Sequence, residues 1–135
     1  MISILGVMTR NVITVKADTP IYDALQLFLK HEISGMPVVN DSNEVIGILS
    51  EKDVLKILVD ENRAVSDIVE DYMTRDVISF KEEDDAVAIC KFFLSSTIRR
   101  VPITKNGKLC GIISRRDIVS LILDAERKIS DFRFD

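Results

Sequence analysis

Apolar residues recur along this chain with two different periods, and the same succession of periods occurs twice. VITV at 12–15 is a β-branched run that suits a short strand. Asp18-Thr19-Pro20 then offers a helix cap with proline in the first turn, and Ile21, Ala24, Leu25 and Phe28 follow at helical spacing. MPVV at 36–39 and VIGIL at 45–49 read as strands joined by the turn-rich NDSNE. A second helix is predicted from Ser50, with Val54, Leu55 and Leu58 as its apolar stripe. The order repeats with VISF at 77–80, a helix carrying Ala86, Ile89, Cys90 and Phe93, then VPIT, LCGII and a helix from Ser114. Asn106-Gly107, set between two apolar runs, is a strong hairpin signal.

Sliding the chain on itself by 65 residues places VMTRNVITVK over YMTRDVISFK and SGMPVV over RRVPIT, and an offset of 64 places GILSEKDVLKIL over GIISRRDIVSLI. The chain is therefore a duplicated β-α-β-β-α unit, with repeats expected over 1–64 and 65–135. A unit of roughly 60 residues is marginal alone, so the two copies are expected to pair through their sheets. The predicted fold is α+β, an α/β-type sandwich with pseudo-twofold symmetry and a cleft between the copies. Val59 to Asp71 lacks Gly and Pro and reads as a helix end with a return connection. Beyond Asp124 the last helix is expected to continue and to expose Phe132 and Phe134.

Composition narrows the function classes. The 135 residues are 47% hydrophobic and 30% charged, ordinary for a globular chain. No apolar run approaches the roughly 18 residues of a membrane span, and MISILGVMTR does not read as a secretion signal, so a cytoplasmic protein is expected, with no membrane partner. A net charge of -4 argues against nucleic acid. Cys90 and Cys110 lie in apolar patterns without metal-ligand spacing, and His31 is the only histidine, so no metal site is expected. There is no P-loop, no GxGxxG and no nucleophile-base pairing in the sequence, which argues against an enzyme.

Two short motifs remain. Ser50-x-x-Asp53 and Ser114-x-x-Asp117 are close to a capping box, with Asp where Glu or Gln is usual, and any helix could carry one. Their recurrence at one place in both copies, each after a Gly-containing strand, suggests a second role. Arg115-Arg116 puts two cations in the first turn of a helix, against its dipole, and a nearby anion would relieve that conflict.

The MTxxVIxV opening, the proline after two variable residues, the G-x-x-S-x-x-D junction and the duplication together resemble a tandem pair of cystathionine-β-synthase (CBS) domains, a Bateman module, here stand-alone. The resemblance implies a non-catalytic sensor binding adenosine nucleotides, AMP, ADP or ATP, in the cleft between copies. S-adenosylmethionine and NAD are the alternatives, and no cofactor is required. By matching positions, one site would use Thr9, Ile13, Ser34 and Gly35 with Ile112, Ser114, Arg115 and Asp117. The other would use Thr74, Ile78, Arg99 and Arg100 with Ile48, Ser50 and Asp53. Each Asp would take ribose hydroxyls on its two oxygens. Ile48 and Ile112 would line a slot for the base, and Gly47 and Gly111 would let the backbone approach the ligand. Arg99 and Arg100 would clamp phosphate. Ser34-Gly35 stands in their place in the first site, leaving its charge to Arg115 or Arg116 and making the two sites unequal. The resemblance also implies a homodimer that signals to an effector protein through its geometry. The competing reading is a ligand-free dimerisation or docking module working through the Phe132/Phe134 tail.

Overall fold

Helix α1 (Ile21–His31) buries Ile21, Ala24 and Phe28 on one face, as its spacing predicts. Its start differs from expectation, because Pro20 is the N-cap residue and no side chain caps the helix. The Ile21 N–H instead donates to the Asp67 carbonyl at 3.0 Å, and the returning chain donates from Val69 and Glu70 to the Thr19 and Ala17 carbonyls. Tertiary pairing here does what a cap would do. Strands β1 (Gly35–Val39) and β2 (Val45–Ser50) form an antiparallel pair and lead into α2 (Glu51–Val59). After a 3-10 turn at Val69–Asp71 come β3 (Phe80–Lys81), α3 (Ala86–Leu94), β4 (Arg100–Lys105), β5 (Lys108–Ser114) and α4 (Arg115–Phe134). The computed structural model describes residues 1–61 and 67–134, with the side chains of α4 described as far as residue 127. The expected boundary at 64/65 and the side chains of Phe132 and Phe134 lie outside the described residues.

The opening strand of each copy is shorter than predicted. VITV reduces to a parallel bridge between Val15 and Val38, and VISF shifts to Phe80–Lys81 paired with Ile103 and Thr104 of β4. Proline explains the cut. The Pro37 carbonyl accepts from Val15 N–H at 3.2 Å, and a residue's N and O project to the same strand edge. Pro37 has no N–H to give to Ile13, so the ladder stops there, and Pro102 occupies the matching place in the second copy. Asn106 and Gly107 have φ of 53° and 79°, the two positive values a tight Asn-Gly hairpin needs.

The chain divides into two compact units whose limits are offset from the sequence repeats. One unit comprises Val12–Val77 and Gly107–Leu109, and the other Met1–Asn11, Ile78–Asn106 and Cys110–Asp135. The opening segment of the chain thus belongs with the second repeat. In the first unit Ile21, Ala24, Met36, Val38, Leu49 and Val69 are the innermost core residues. In the second, Ile4 and Met8 join Ile89, Val101, Ile103 and Ile113.

The stripe predicted on α2 is corrected. Val54 packs partly on the core, but Leu55 and Leu58 are 66% and 84% exposed, and the helix buries Asp53 and Ile57 instead. Helical spacing reveals an apolar face without saying what covers it. Cys90 and Cys110 are half-buried rather than enclosed. Burial and the neighbouring Glu82 push the Cys110 thiol up. No described helix is long and apolar enough to cross a membrane, and no cluster of three or more potential metal ligands occurs among the described residues.

Candidate functional site

The junction between β2 and α2 is a complete capping box. Ser50 N–H donates to Asp53 Oδ2 at 2.9 Å and Asp53 N–H donates to Ser50 Oγ at 3.2 Å, while the Ser50 hydroxyl also reaches Asp53 Oδ2 at 2.9 Å. Two orphan N–H groups of the helix start are satisfied reciprocally. Asp53 Oδ1 points elsewhere. Thr74 Oγ1 donates to it at 3.4 Å, and Lys56 Nζ lies 3.9 Å away. Asp53 is the one buried charged side chain among the described residues, 7% exposed, and its second oxygen faces the Thr74 hydroxyl.

Asp117 repeats the arrangement at the start of α4. It accepts from Ser114 N–H at 2.7 Å and returns its own N–H to Ser114 Oγ at 3.2 Å. It is half-buried, and Oδ1 accepts no hydrogen bond among the described residues.

The threonine of each MT segment pairs through its main chain with the strand that runs into a box. Thr74 and Ile48 exchange hydrogen bonds at 2.8 and 2.9 Å, and Thr9 and Ile112 exchange two at 2.9 Å. These bridges seat Thr74 beside Ile48, with its hydroxyl on Asp53, and Thr9 beside Ile112, two residues before Ser114. Ile48 and Ile112 are half-exposed, each between two buried strand residues that face the other way. That leaves both side chains on the face opposite their own core.

Close approach at the glycines is made by the chain itself. A Cβ on Gly47 would lie 2.7 Å from Met73 Sδ and 3.0 Å from the Thr74 carbonyl oxygen. On Gly111 it would lie 2.4 Å from Met8 Cγ and Sδ and 2.8 Å from the Thr9 oxygen. The neighbour that forbids a side chain is the MT segment of this same chain. The sequence reading missed both methionines. Their recurrence immediately before the two threonines was the available signal.

Other predicted residues divide between the units. Ile13, Ser34 and Gly35 belong to the unit holding Asp53, and Ile78, Arg99 and Arg100 to the unit holding Asp117. Ile13 packs against its core, whereas Ile78 is 47% exposed. The Ser34 carbonyl accepts from Glu51 N–H at 3.0 Å, and the Arg99 carbonyl accepts from Arg115 N–H at 2.9 Å, so equivalent residues join β1 to α2 and β4 to α4.

Arg115 meets neutral backbone carbonyl oxygens at and just beyond the end of α3. Its Nη2 donates to the Phe93 and Ser96 oxygens at 3.2 and 2.5 Å, with the guanidinium carbon 5.9 Å from the Phe93 ring centre. Helix α1 ends on left-handed Glu32, but α3 ends on Ser95 at φ -101° without that turn. Arg115 serves the open carbonyl end of α3 in its place.

The family described as CBS domain matches this chain twice, over residues 4–60 and 69–124. The chain belongs to the CBS domain family. An uncharacterised protein of Methanocaldococcus jannaschii is 34% identical over 119 residues, covering 86% of this CBS pair and 41% of the relative. An uncharacterised 17.7 kDa protein of Acidianus ambivalens is also 34% identical over 119 residues, covering 87% of this chain and 71% of that one. An inosine-5'-monophosphate dehydrogenase of Methanocaldococcus jannaschii is 32% identical, and there the CBS pair spans only 22% of the enzyme's length. Among solved structures, CBSX2 in complex with AMP superimposes with a TM-score of 0.81 at 25% identity, over 93% of this chain and 99% of that one. CBSX2 is a CBS-pair protein of Arabidopsis thaliana. The CBS domain pair of protein MJ0100, solved with 5'-methylthioadenosine and S-adenosyl-L-methionine, gives a TM-score of 0.78 at 25% identity, over 89% and 98%. Mixed α/β architecture built from two CBS repeats is thus shared with proteins crystallised with adenosine compounds.

Proposed function

We propose that this CBS pair is a non-catalytic, cytoplasmic regulatory module that binds an adenosine ligand, with Asp53 and Asp117 reading ribose hydroxyls. The observation that carries the reading is Asp53 itself. Its Oδ2 closes the helix, while Oδ1, buried with the residue, faces a threonine hydroxyl, a partner that capping alone does not require. The AMP complex of the similarly folded CBSX2 supports the adenosine part. Each carboxylate keeps Oδ1 beyond its capping bond, an oxygen that can accept from a ribose hydroxyl. Thr9 and Thr74 are assigned to the ligand with them, and Ile48 and Ile112 to the base. Ile13 and Ile78 belong to the same proposal through the short opening strands, as do Ser34 and Gly35 through the start of β1.

Phosphate-bearing ligands, AMP, ADP or ATP, are favoured over S-adenosylmethionine and NAD by Arg99 and Arg100, adjacent guanidinium groups suited to phosphate oxygens. Arg99, Arg100 and Arg116 lie in the unit that holds Asp117, where Arg115 is engaged on α3. The two halves are accordingly unequal in charge as well as in exposure.

A second copy of the chain is proposed as the partner through which occupancy is signalled. Leu55, Leu58 and Val59 on α2 are 66%, 84% and 80% exposed, and the equivalent Val119, Ile122 and Leu123 on α4 are 65%, 58% and 48% exposed. Exposed leucines, isoleucine and valines at the same three positions in both repeats point to a face that is covered by association.

Thermal unfolding with millimolar AMP, ADP, ATP, NAD or S-adenosylmethionine tests the ligand reading. A ligand at about 100 times its dissociation constant stabilises by roughly 2.7 kcal/mol. In a chain of this size the midpoint should rise on the order of 10 °C. A flat response to the whole panel would leave a ligand-free dimerisation module as the better account.

A further inference from the structure

Each ligand half-site depends on a threonine that comes from outside its strand-helix junction, and what holds that threonine in place is visible in both copies. Met73 and Met8 immediately precede Thr74 and Thr9, and both are buried, 9% and 7% exposed. Each thioether lies over a strand glycine where any Cβ would meet it, Met73 over Gly47 and Met8 over Gly111. Beyond each glycine, Ile48 or Ile112 makes the paired main-chain bonds to the threonine. The duplication has kept the methionine, the threonine and the glycine together twice, although the intervening residues have changed.

We propose that Met73 and Met8 are positioning residues of the ligand sites, keyed into the glycine slots so that Thr74 and Thr9 sit at the Ser-x-x-Asp boxes. The inference rests on the adenosine reading for its ligand, but the key itself has a readout that needs none. Filling the Gly47 slot pushes Met73, lifts Thr74 from Ile48 and withdraws its hydroxyl from Asp53 Oδ1. Trimming Met73 removes both side-chain atoms in the way and leaves the Thr74 oxygen at 3.0 Å, a contact that a small shift relieves. At Gly111 the Thr9 backbone oxygen, 2.8 Å from the added carbon, remains in the way whatever happens to Met8.

Gly47→Ala, Met73→Ala and the double variant are compared by amide hydrogen exchange and by calorimetric titration with AMP, all in an Asp117→Ala background so that the Asp53 half is read. Each single substitution should speed exchange of the Ile48 and Thr74 amides and raise the AMP Kd about tenfold, while the double variant returns both toward the parent. Gly111→Ala, tested in an Asp53→Ala background, should weaken AMP binding and gain nothing from Met8→Ala. A merely structural role would lower the unfolding temperature and leave the AMP Kd of the folded protein unchanged, which overturns the proposal. So does a double variant no better than either single. Should Gly47→Ala not fold, folding of the double variant is the recovery expected, and its failure is the contrary result. If the parent binds no AMP, the adenosine reading fails while the exchange rates still decide whether the key exists.

Discussion

Asp53 combines two tasks because its carboxylate has two oxygens that need not share a partner. Oδ2 takes the Ser50 N–H and hydroxyl, and Oδ1 is left to Thr74. Ser50→Ala, which loses the cap without touching that oxygen, should cost about 1 kcal/mol in urea unfolding. Tyr72 provides a test against pH. Its hydroxyl donates to Asp67, and that bond, with burial and the neighbouring Asp67 charge, pushes its pKa up to about 12. A phenol with a raised folded pKa adds stability that is complete below the ordinary tyrosine value and is lost as pH rises toward about 12. Spectrophotometric titration in a Tyr22→Phe background should therefore show phenolate forming late, and Tyr72→Phe should abolish that part of the alkaline loss. The capping boxes were legible in the sequence because their partners lie three residues apart. The meeting of Met73 with Gly47, or of Met8 with Gly111, was not, since nothing local says which strand the MT segment crosses.

At the scale of elements, helices α1 and α3 matched their apolar spacing, while α2 did not bury the leucines expected of it. Among the described residues Leu55 and Leu58 stay largely exposed, and pattern alone cannot separate a core face from an exposed one. Leu58→Glu and Ile122→Glu should each shift the sedimentation equilibrium toward monomer with little change in the far-ultraviolet spectrum. An unchanged mass would contradict the proposed association through α2 and α4. The opening strands show the reverse limit. Their β-branched residues were read correctly as extended, but the donor missing at Pro37 ended the ladder early. Arg115 makes an interaction between elements that charge counting along the sequence does not reveal. Arg115→Ala should destabilise the end of α3 by about 1 kcal/mol, seen as faster amide exchange over the last turn of that helix.

For the whole molecule, duplication was the most informative feature of the sequence, and the family match over both repeats agrees with it. The units of the structure are nevertheless assembled across the repeat boundary, with the MT segment of each copy seated on the strand of the other. This exchange brings Thr74 to Asp53 and pairs Thr9 with Ile112, two residues before Ser114, so each strand-helix junction is approached by the other repeat. A change in one repeat should therefore be felt at the box of the other. Calorimetric titration of AMP into the wild type, Asp53→Ala, Asp117→Ala and the double variant tests the central claim most directly. The account predicts saturable binding to the wild type, loss of a different component in each single variant, and none in the double variant, all with the fold retained. AMP binding that is undiminished when both aspartates are gone, or absent from the wild type, would contradict it.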